Sequence, residues 1–239
     1  MRRTPRGVAM AAALALLPVA GCSGGGGGSA SSPSPGAATP AVTRAQADSA
    51  LITETNLEGN WTRTSNARGP GDELLRGKAN TPQCQRFLDD LASGNLLGEK
   101  PQDQADRRFT GGSNADLHYR VAAYAPGDAE KGIARLKTLP QACDQFDVAY
   151  SGGVKGSGQV VTSKLPGVGE GDVGLQLTLK TTLKGLPATL TLDTAAVRVG
   201  PNALTLTNGG LGGAVHPVTE QAVKQGTQQL KDVLKKHST

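Results

Sequence analysis

Apolar residues recur along this chain with two different periods, one helical and one of two residues. Thr43-Arg44-Ala45-Gln46 has the form of a capping box, and Ala47, Ala50 and Leu51 follow at helical spacing. A loop rich in Gly, Asn and Arg then carries the sole tryptophan, Trp61. Cys84, Phe87, Leu88 and Leu91 fall at i, i+3, i+4 and i+7, which predicts a second helix with Thr81 as N-cap and Pro82 in its first turn. Residues 105–111 and 116–125 read as strands. In the second, Leu117, Tyr119, Val121 and Ala123 share one face, and His118, Arg120 and Tyr124 share the other. Pro126-Gly127 turns the chain, and Asp128 caps a third helix bearing Ala129, Ile133 and Leu136. Pro140 is expected to interrupt that helix, leaving a short helical piece with Cys143 and Phe146.

From residue 158 the period falls to two. Val173, Leu175, Leu177 and Leu179 alternate with Gly174, Gln176, Thr178 and Lys180, the pattern of a half-buried strand. Leu190 and Leu192 begin another, whose apolar parity then shifts to Ala195, Val197 and Val199. A bulge near Asp193 is expected from that shift. Gly200-Pro201-Asn202 forms a hairpin turn into Leu204 and Leu206. Pro217 starts a terminal helix with Val218, Ala222, Val223, Leu230, Val233 and Leu234 on one face. Its Lys231, Lys235 and Lys236 lie near the C-terminus, where the helix dipole favours them. Helices segregated from a mostly antiparallel sheet predict an α+β domain over residues 43–239.

The residues before 43 are of another kind. Arg2, Arg3 and Arg6 form a positive segment, and Val8 to Ala20 is an apolar run too short to span a bilayer. It closes as Leu17-Pro18-Val19-Ala20-Gly21-Cys22, which resembles a lipobox. On that reading residues 1–21 are a signal peptide and Cys22 becomes the acylated N-terminus. An ordinary secretory signal with a chance cysteine is the plainer alternative. The apolar residues that usually follow a twin-arginine pair are missing after Arg2-Arg3. Residues 22–42, rich in Gly, Ser and Pro, read as a tether reaching on the order of 25 Å from the lipid. Stable anchoring takes about two lipid signals, and lipoproteins of this pattern carry at least two acyl chains. The expected location is the outer face of a cell membrane, held there by lipid on Cys22.

This leader changes the charge and cysteine arithmetic. The formal charge is +5, but losing Arg2, Arg3 and Arg6 leaves 22 of the 25 basic residues against 20 acidic ones. That balance names no nucleic-acid partner. With Cys22 lipidated, Cys84 and Cys143 remain in an oxidising compartment, each on the apolar face of a predicted helix. A disulfide between those helices is the economical reading, and two buried thiols that never meet is the other. Zinc and dithiol chemistry are disfavoured for want of paired C-x-x-C spacing, so neither metal nor cofactor is expected.

Other motifs lose their force in context. Gly169 to Gly174 fits G-x-G-x-x-G, yet a strand follows where a dinucleotide fingerprint needs a helix. The G-x-S-x-G of Gly21 to Gly25 straddles the cleavage site. Asp89-Asp90 and the Asp103/Asp106 pair lack the ligand count of a calcium loop. Asn60-Trp61-Thr62 is a glycosylation sequon that a bacterial lipoprotein would usually leave unused. His237 lies in the tail and His216 precedes a helix, so both read as exposed structural residues. His118, Arg120 and Tyr124 either line a polar ligand groove or lie on a solvated sheet face. No catalytic residue is assigned.

From about residue 44 to 236 the chain resembles the PknH-type extracellular sensor domain of mycobacterial membrane kinases and related actinobacterial lipoproteins. The resemblance rests on element order, Trp61, Cys84 after Thr81-Pro82, Leu139-Pro140-Gln141-Ala142-Cys143, Val168-Gly169-Glu170-Gly171-Asp172, and Val197-Arg198-Val199-Gly200-Pro201-Asn202. It implies an α+β domain with a central antiparallel sheet and a cleft, and sensing or binding rather than catalysis. Kinase sensors of this type carry two disulfides, whereas this chain has cysteines for one. No kinase motif is present, so signalling would need a partner. The leading expectation is a lipid-anchored, non-enzymatic module that binds an extracellular ligand or an envelope protein. A carrier of an apolar molecule is the alternative, and an envelope hydrolase using the His118 face comes third.

Overall fold

The computed structural model describes residues 39–65, 71–112 and 115–236. The leader, Cys22, most of the tether and His237 lie outside these residues. The compact unit Ala38–Thr239 contains α1 (Arg44–Ser49), β1 (Thr62–Thr64), β2 (Lys78–Ala79), α2 (Pro82–Ser93), β3 (Asp103–Thr110), β4 (Asp116–Ala123) and α3 (Asp128–Ala142). It continues through β5 (Phe146–Ala149), β6 (Lys155–Ser163), β7 (Gly171–Leu183), β8 (Leu186–Val199), β9 (Asn202–Gly210) and α4 (His216–Lys236). The strands form one nine-stranded sheet in the order β1-β3-β4-β9-β8-β7-β6-β5-β2. Every neighbouring pair is antiparallel. The fold is α+β.

Two separate cores lie on opposite faces of this sheet. On one face α2 and α3 pack Phe87, Leu88, Ile133 and Leu136 against Val160, Leu175, Leu177, Leu190 and Leu192. On the other, α1 and α4 pack Ala47, Val223 and Leu230 against Leu117, Tyr119, Val197 and Leu204. Strand β8 belongs to both cores, giving Leu190, Leu192 and Ala196 to the first and Ala195, Val197 and Val199 to the second. This explains the parity shift that suggested a bulge near Asp193. The β8 register runs unbroken against β7 and β9, with Asp193 opposite Gln176 and Asn208. Which face is covered changes along the strand; the pleat does not.

Local chemistry sets the element ends. The Thr43/Gln46 capping box forms around α1. Thr81 precedes α2, with Pro82 at its start, and Gly94 ends it in the left-handed conformation at φ 68°, which glycine adopts without a Cβ penalty. Gly127 is the N-cap of α3, with Asp128 in the first turn. Pro140 does not interrupt α3, which continues to Ala142. The lost N–H and the ring fall in the last turn, where little helix remains to be broken. The short helical piece expected beyond it is absent: Cys143 caps α3 and Phe146 opens β5. Lys184-Gly185, both at positive φ, close a tight β7–β8 hairpin with Leu183 opposite Leu186, as a type I′ turn requires. Residues 39–42, assigned to the tether from sequence, are docked on the domain. Val42 is buried, and the Asn202 side chain accepts from Val42 N at 2.8 Å and donates to Pro40 O at 2.9 Å.

Cys84 of α2 and Cys143 at the end of α3 form a disulfide spanning 59 residues. Val160 N donates to Cys143 O at 2.8 Å, so the bridge also fixes these helices on β6. Replacing both cysteines with serine is expected to lower stability by about 4 kcal/mol on the chain-entropy estimate, read from urea denaturation. On the opposite face α4 comes close to the sheet at Gly226, where a Cβ would collide with the Tyr119 hydroxyl. That hydroxyl is buried and has no hydrogen-bond partner among the described residues. Gly226→Ala is therefore expected to cost about 1–3 kcal/mol, and adding Tyr119→Phe should recover most of it.

Candidate functional site

The candidate ligand residues of β4 lie in a closed layer. His118 and Arg120 meet at Asp106 of β3, with His118 Nε2 at 3.5 Å and Arg120 Nη2 at 3.9 Å from its carboxylate. Only 10% of the His118 side chain and 11% of the Arg120 side chain is exposed. The reason is the end of α2: a Cβ on Gly94 would lie 2.7 Å from His118 Cε1. Tyr124 follows β4 and is buried in the core shared with α2 and α3, where burial pushes its pKa up to about 12. The structure thus joins His118 to Arg120 and leaves Tyr124 in apolar packing. Beside His118 is a cavity of about 30 Å³ bordered by Asp72, Arg108 and Asp116, room for one or two waters.

Burial and charge work in opposite directions within this layer. Desolvation holds His118 below its ordinary value, and the Arg108 and Arg120 charges add to that, against the Asp106 hydrogen bond. That same hydrogen bond pulls the Asp106 carboxyl down. Asp116 moves up, mainly because it is buried, with Asp72 nearby, although Arg108 opposes the shift.

An open groove lies elsewhere, on the α4 face of the sheet but beyond the strands that α4 covers. Asp147 of β5, Ser157 and Gln159 of β6, and Thr178 and Lys180 of β7 point to the same side, because Asp147 pairs with Ser157, Ser157 with Lys180, and Gln159 with Thr178. With Asn80, Gln145, Phe146 and Gly158 they line a groove of about 450 Å³. The lining offers amide, hydroxyl, carboxylate and ammonium groups, so it suits a polar, hydrogen-bonding ligand. Alternation along β7 places Gln176, Thr178 and Lys180 on this side from sequence. The signal gives no hint that α4 stops short of them.

At the border between the covered and uncovered parts sits a group that sequence reading did not assemble. Asp193, fully buried in β8, has one oxygen 2.9 Å from His216 Nδ1 and the other 3.0 Å from Gln176 Nε2. Ser163 Oγ lies 3.2 Å from the same His216 Nδ1. Ser, His and Asp are together, but a hydrolytic relay needs the acid and the nucleophile on different ring nitrogens. Here both meet one nitrogen, so this arrangement does not activate Ser163. Among the described residues, no group of three or more His, Cys, Asp or Glu is placed to hold a metal ion. The G-x-G-x-x-G segment is a turn into β7, and Glu170 within it accepts from Arg198 at 2.8 Å and from Gly200 N at 3.0 Å.

No family model matches the sequence, and no curated protein is significantly similar to it. Among solved structures, the extracellular domain of PknH from Mycobacterium tuberculosis aligns with a TM-score of 0.50 at 10% identity, over 82% of this chain and 99% of that one. The likeness is one of fold.

The closed layer should make stability depend on pH in a defined direction. In the unfolded chain His118 takes up its proton around its ordinary value of 6.5, whereas the folded ring resists it. The unfolded state then binds more protons below that value, so acidification favours unfolding until the folded ring also titrates. Urea midpoints of the wild type are expected to fall below those of His118→Gln-corrected baselines as pH drops from about 6.5, with no such divergence above pH 7.5. Parallel curves throughout would show that burial of this ring is not linked to folding.

Proposed function

We propose that this chain is a lipid-anchored, non-catalytic binding module on the outer face of a cell membrane, taking a polar ligand in the groove between β5 and β7. The observation that carries the ligand class is the groove itself, whose lining is polar except for Phe146 and Gly158. The extracellular part of the reading draws on the fold, which is shared with the extracellular domain of PknH. Fold alone does not transmit a ligand, so ligand class is argued from the lining. Residues 1–21 would be the signal peptide, 22–42 the connection from lipidated Cys22, and 43–239 the binding domain. The Cys84–Cys143 disulfide suits an oxidising compartment.

The groove is a better ligand surface than the His118 layer. A ligand touching His118, Arg120 and Tyr124 would first have to displace the end of α2, which the disulfide holds through Cys84. The groove requires no such movement. Its chemistry also favours a polar ligand over the apolar cargo that a lipid carrier would take.

Two measurements test separate parts of this reading. Cys22→Ala should abolish palmitate incorporation and release the protein from membranes into the soluble fraction. Thermal-shift screening against soluble cell-wall fragments should raise the Tm of the wild type, and Gln159→Leu with Thr178→Val should remove the shift while leaving the ligand-free Tm within a few degrees. A well-folded wild type that responds to no polar fragment would remove the groove as a ligand site.

A further inference from the structure

The groove on β5, β6 and β7 presents two opposite charges on one row of the sheet. Register places Asp147, Ser157 and Lys180 side by side across the three strands, all pointing to the open side. Neighbouring strands lie about 4.8 Å apart, so the Asp147 and Lys180 backbones are about 9–10 Å from one another. Both residues are exposed, and among the described residues neither side chain has an ion-pair partner. Gln159 and Thr178 form the next row, with Gln145 and Asn80 completing the rim.

These groups stand on firmly held backbone. Asn80 N donates to Asp147 O at 3.0 Å, and Asp147 N donates to Asn80 Oδ1 at 3.1 Å. Strand β5 is therefore fixed on its outer edge at Asp147 as well as by β6 within the sheet. That pairing uses the Asn80 oxygen and leaves its amide N–H groups for the groove. The floor beneath is equally tight, because a Cβ on Gly158 would collide with the Phe146 ring. Charges set on fixed strands meet a ligand at a defined spacing, which is the basis of selection by length.

On the reading of the groove as the ligand site, we propose that its occupant is a short zwitterionic peptide of about two to four residues. Its ammonium end lies at Asp147 and its carboxylate end at Lys180, so the peptide crosses the strands. Each residue of an extended chain adds about 3.3–3.6 Å, and the flexible lysine stem takes up the remaining difference. A free amino acid carries both charges on one carbon and reaches only one partner. Ser157, Gln159 and Thr178 lie between the ends and offer hydroxyl and amide groups to peptide N–H and C=O. A neutral sugar would use those groups but leave both charges without a counterpart. The volume of about 450 Å³ lies within the range of about 300–1,000 Å³ usual for small ligands. Exposed charge contacts add little affinity each, but two of opposite sign at a set distance fix orientation and exclude singly charged competitors.

The test uses the full chain labelled with 15N and titrated with trialanine, followed through the amide signals of Ser157, Gly158 and Gln159. Saturable shifts are expected there. Acetylating the peptide's N-terminus or amidating its C-terminus should each weaken binding by about three- to tenfold. Asp147→Asn should weaken trialanine to the same extent, yet bind the acetylated peptide as the wild type does. Lys180→Gln should do the same for the amidated peptide. Both positions are exposed, and amide signals unchanged elsewhere show that each variant is folded. Capped peptides that bind as tightly as trialanine would overturn the zwitterion assignment. Silence with trialanine would also overturn it, and a neutral trisaccharide that then shifts the same amides would leave the groove standing as a polar site.

Discussion

Among the described residues, nine strands in one sheet expose two broad faces, and four α-helices must cover whatever is apolar on both. Apolar surface left in water costs about 25 cal/mol per Å², so this constraint decides where each helix lies. The chain meets it by dividing the sheet. Helices α2 and α3 cover one face over the leucines of β7 and β8, while α1 and α4 cover the other over β4, β9 and the far half of β8. The uncovered remainder is mostly polar along β5, β6 and β7, with Val161 of β6 its exposed apolar exception. The sheet ends follow the same economy. Its outermost strands β1 and β2 are only three and two residues long, which leaves little unpaired edge for another chain to extend.

Asp193 sits where this division changes over. On one side of it along β8, Leu190 and Leu192 face the α2–α3 core; on the other, Ala195 and Val197 face the α1–α4 core. At the crossing the strand points a carboxylate to the α4 side just where α4 begins. His216 and Gln176 satisfy it there, and Asn208, its neighbour on β9, donates to Val215 O at 3.1 Å and to Thr219 Oγ1 at 3.1 Å. The first turn of α4 is thus fixed to the sheet by polar contacts, while the rest of the helix is held by Val223, Leu230 and other apolar residues. A polar contact replaces burial at the point where burial runs out.

Elements whose signal is local were legible in the sequence. The capping box at Thr43, the Cys84–Leu91 face of α2, the alternation in β7 and the apolar face of α4 each need only a short window of residues. The missed features depend on what packs from elsewhere. The apolar shift in β8 reads as a bulge when one face is assumed to be buried, but both are. Pro140 reads as a helix breaker by its own chemistry, and nothing local shows that only two helical residues follow it. Alternation puts His118 with Arg120 and Tyr124 on a face that reads as either a ligand groove or solvated surface, and no pattern in β4 shows α2 ending above it. His216 looked structural because its partners, Asp193 and Ser163, are 23 and 53 positions away.

The disulfide bears on which face is free to act. It joins Cys84 to the end of α3, and α2 ends at Gly94 directly over His118. Uncovering His118 and Arg120 would mean lifting a helix that is covalently tied to its neighbour and, through Val160, to the sheet. Among the described residues, the opposite face of β5, β6 and β7 carries no such clamp and no helix. A single bridge therefore does more than stabilise: it commits one face to packing and leaves the other as the surface on which a ligand can be met without rearrangement. A preformed polar surface can take a ligand without first spending free energy on opening itself.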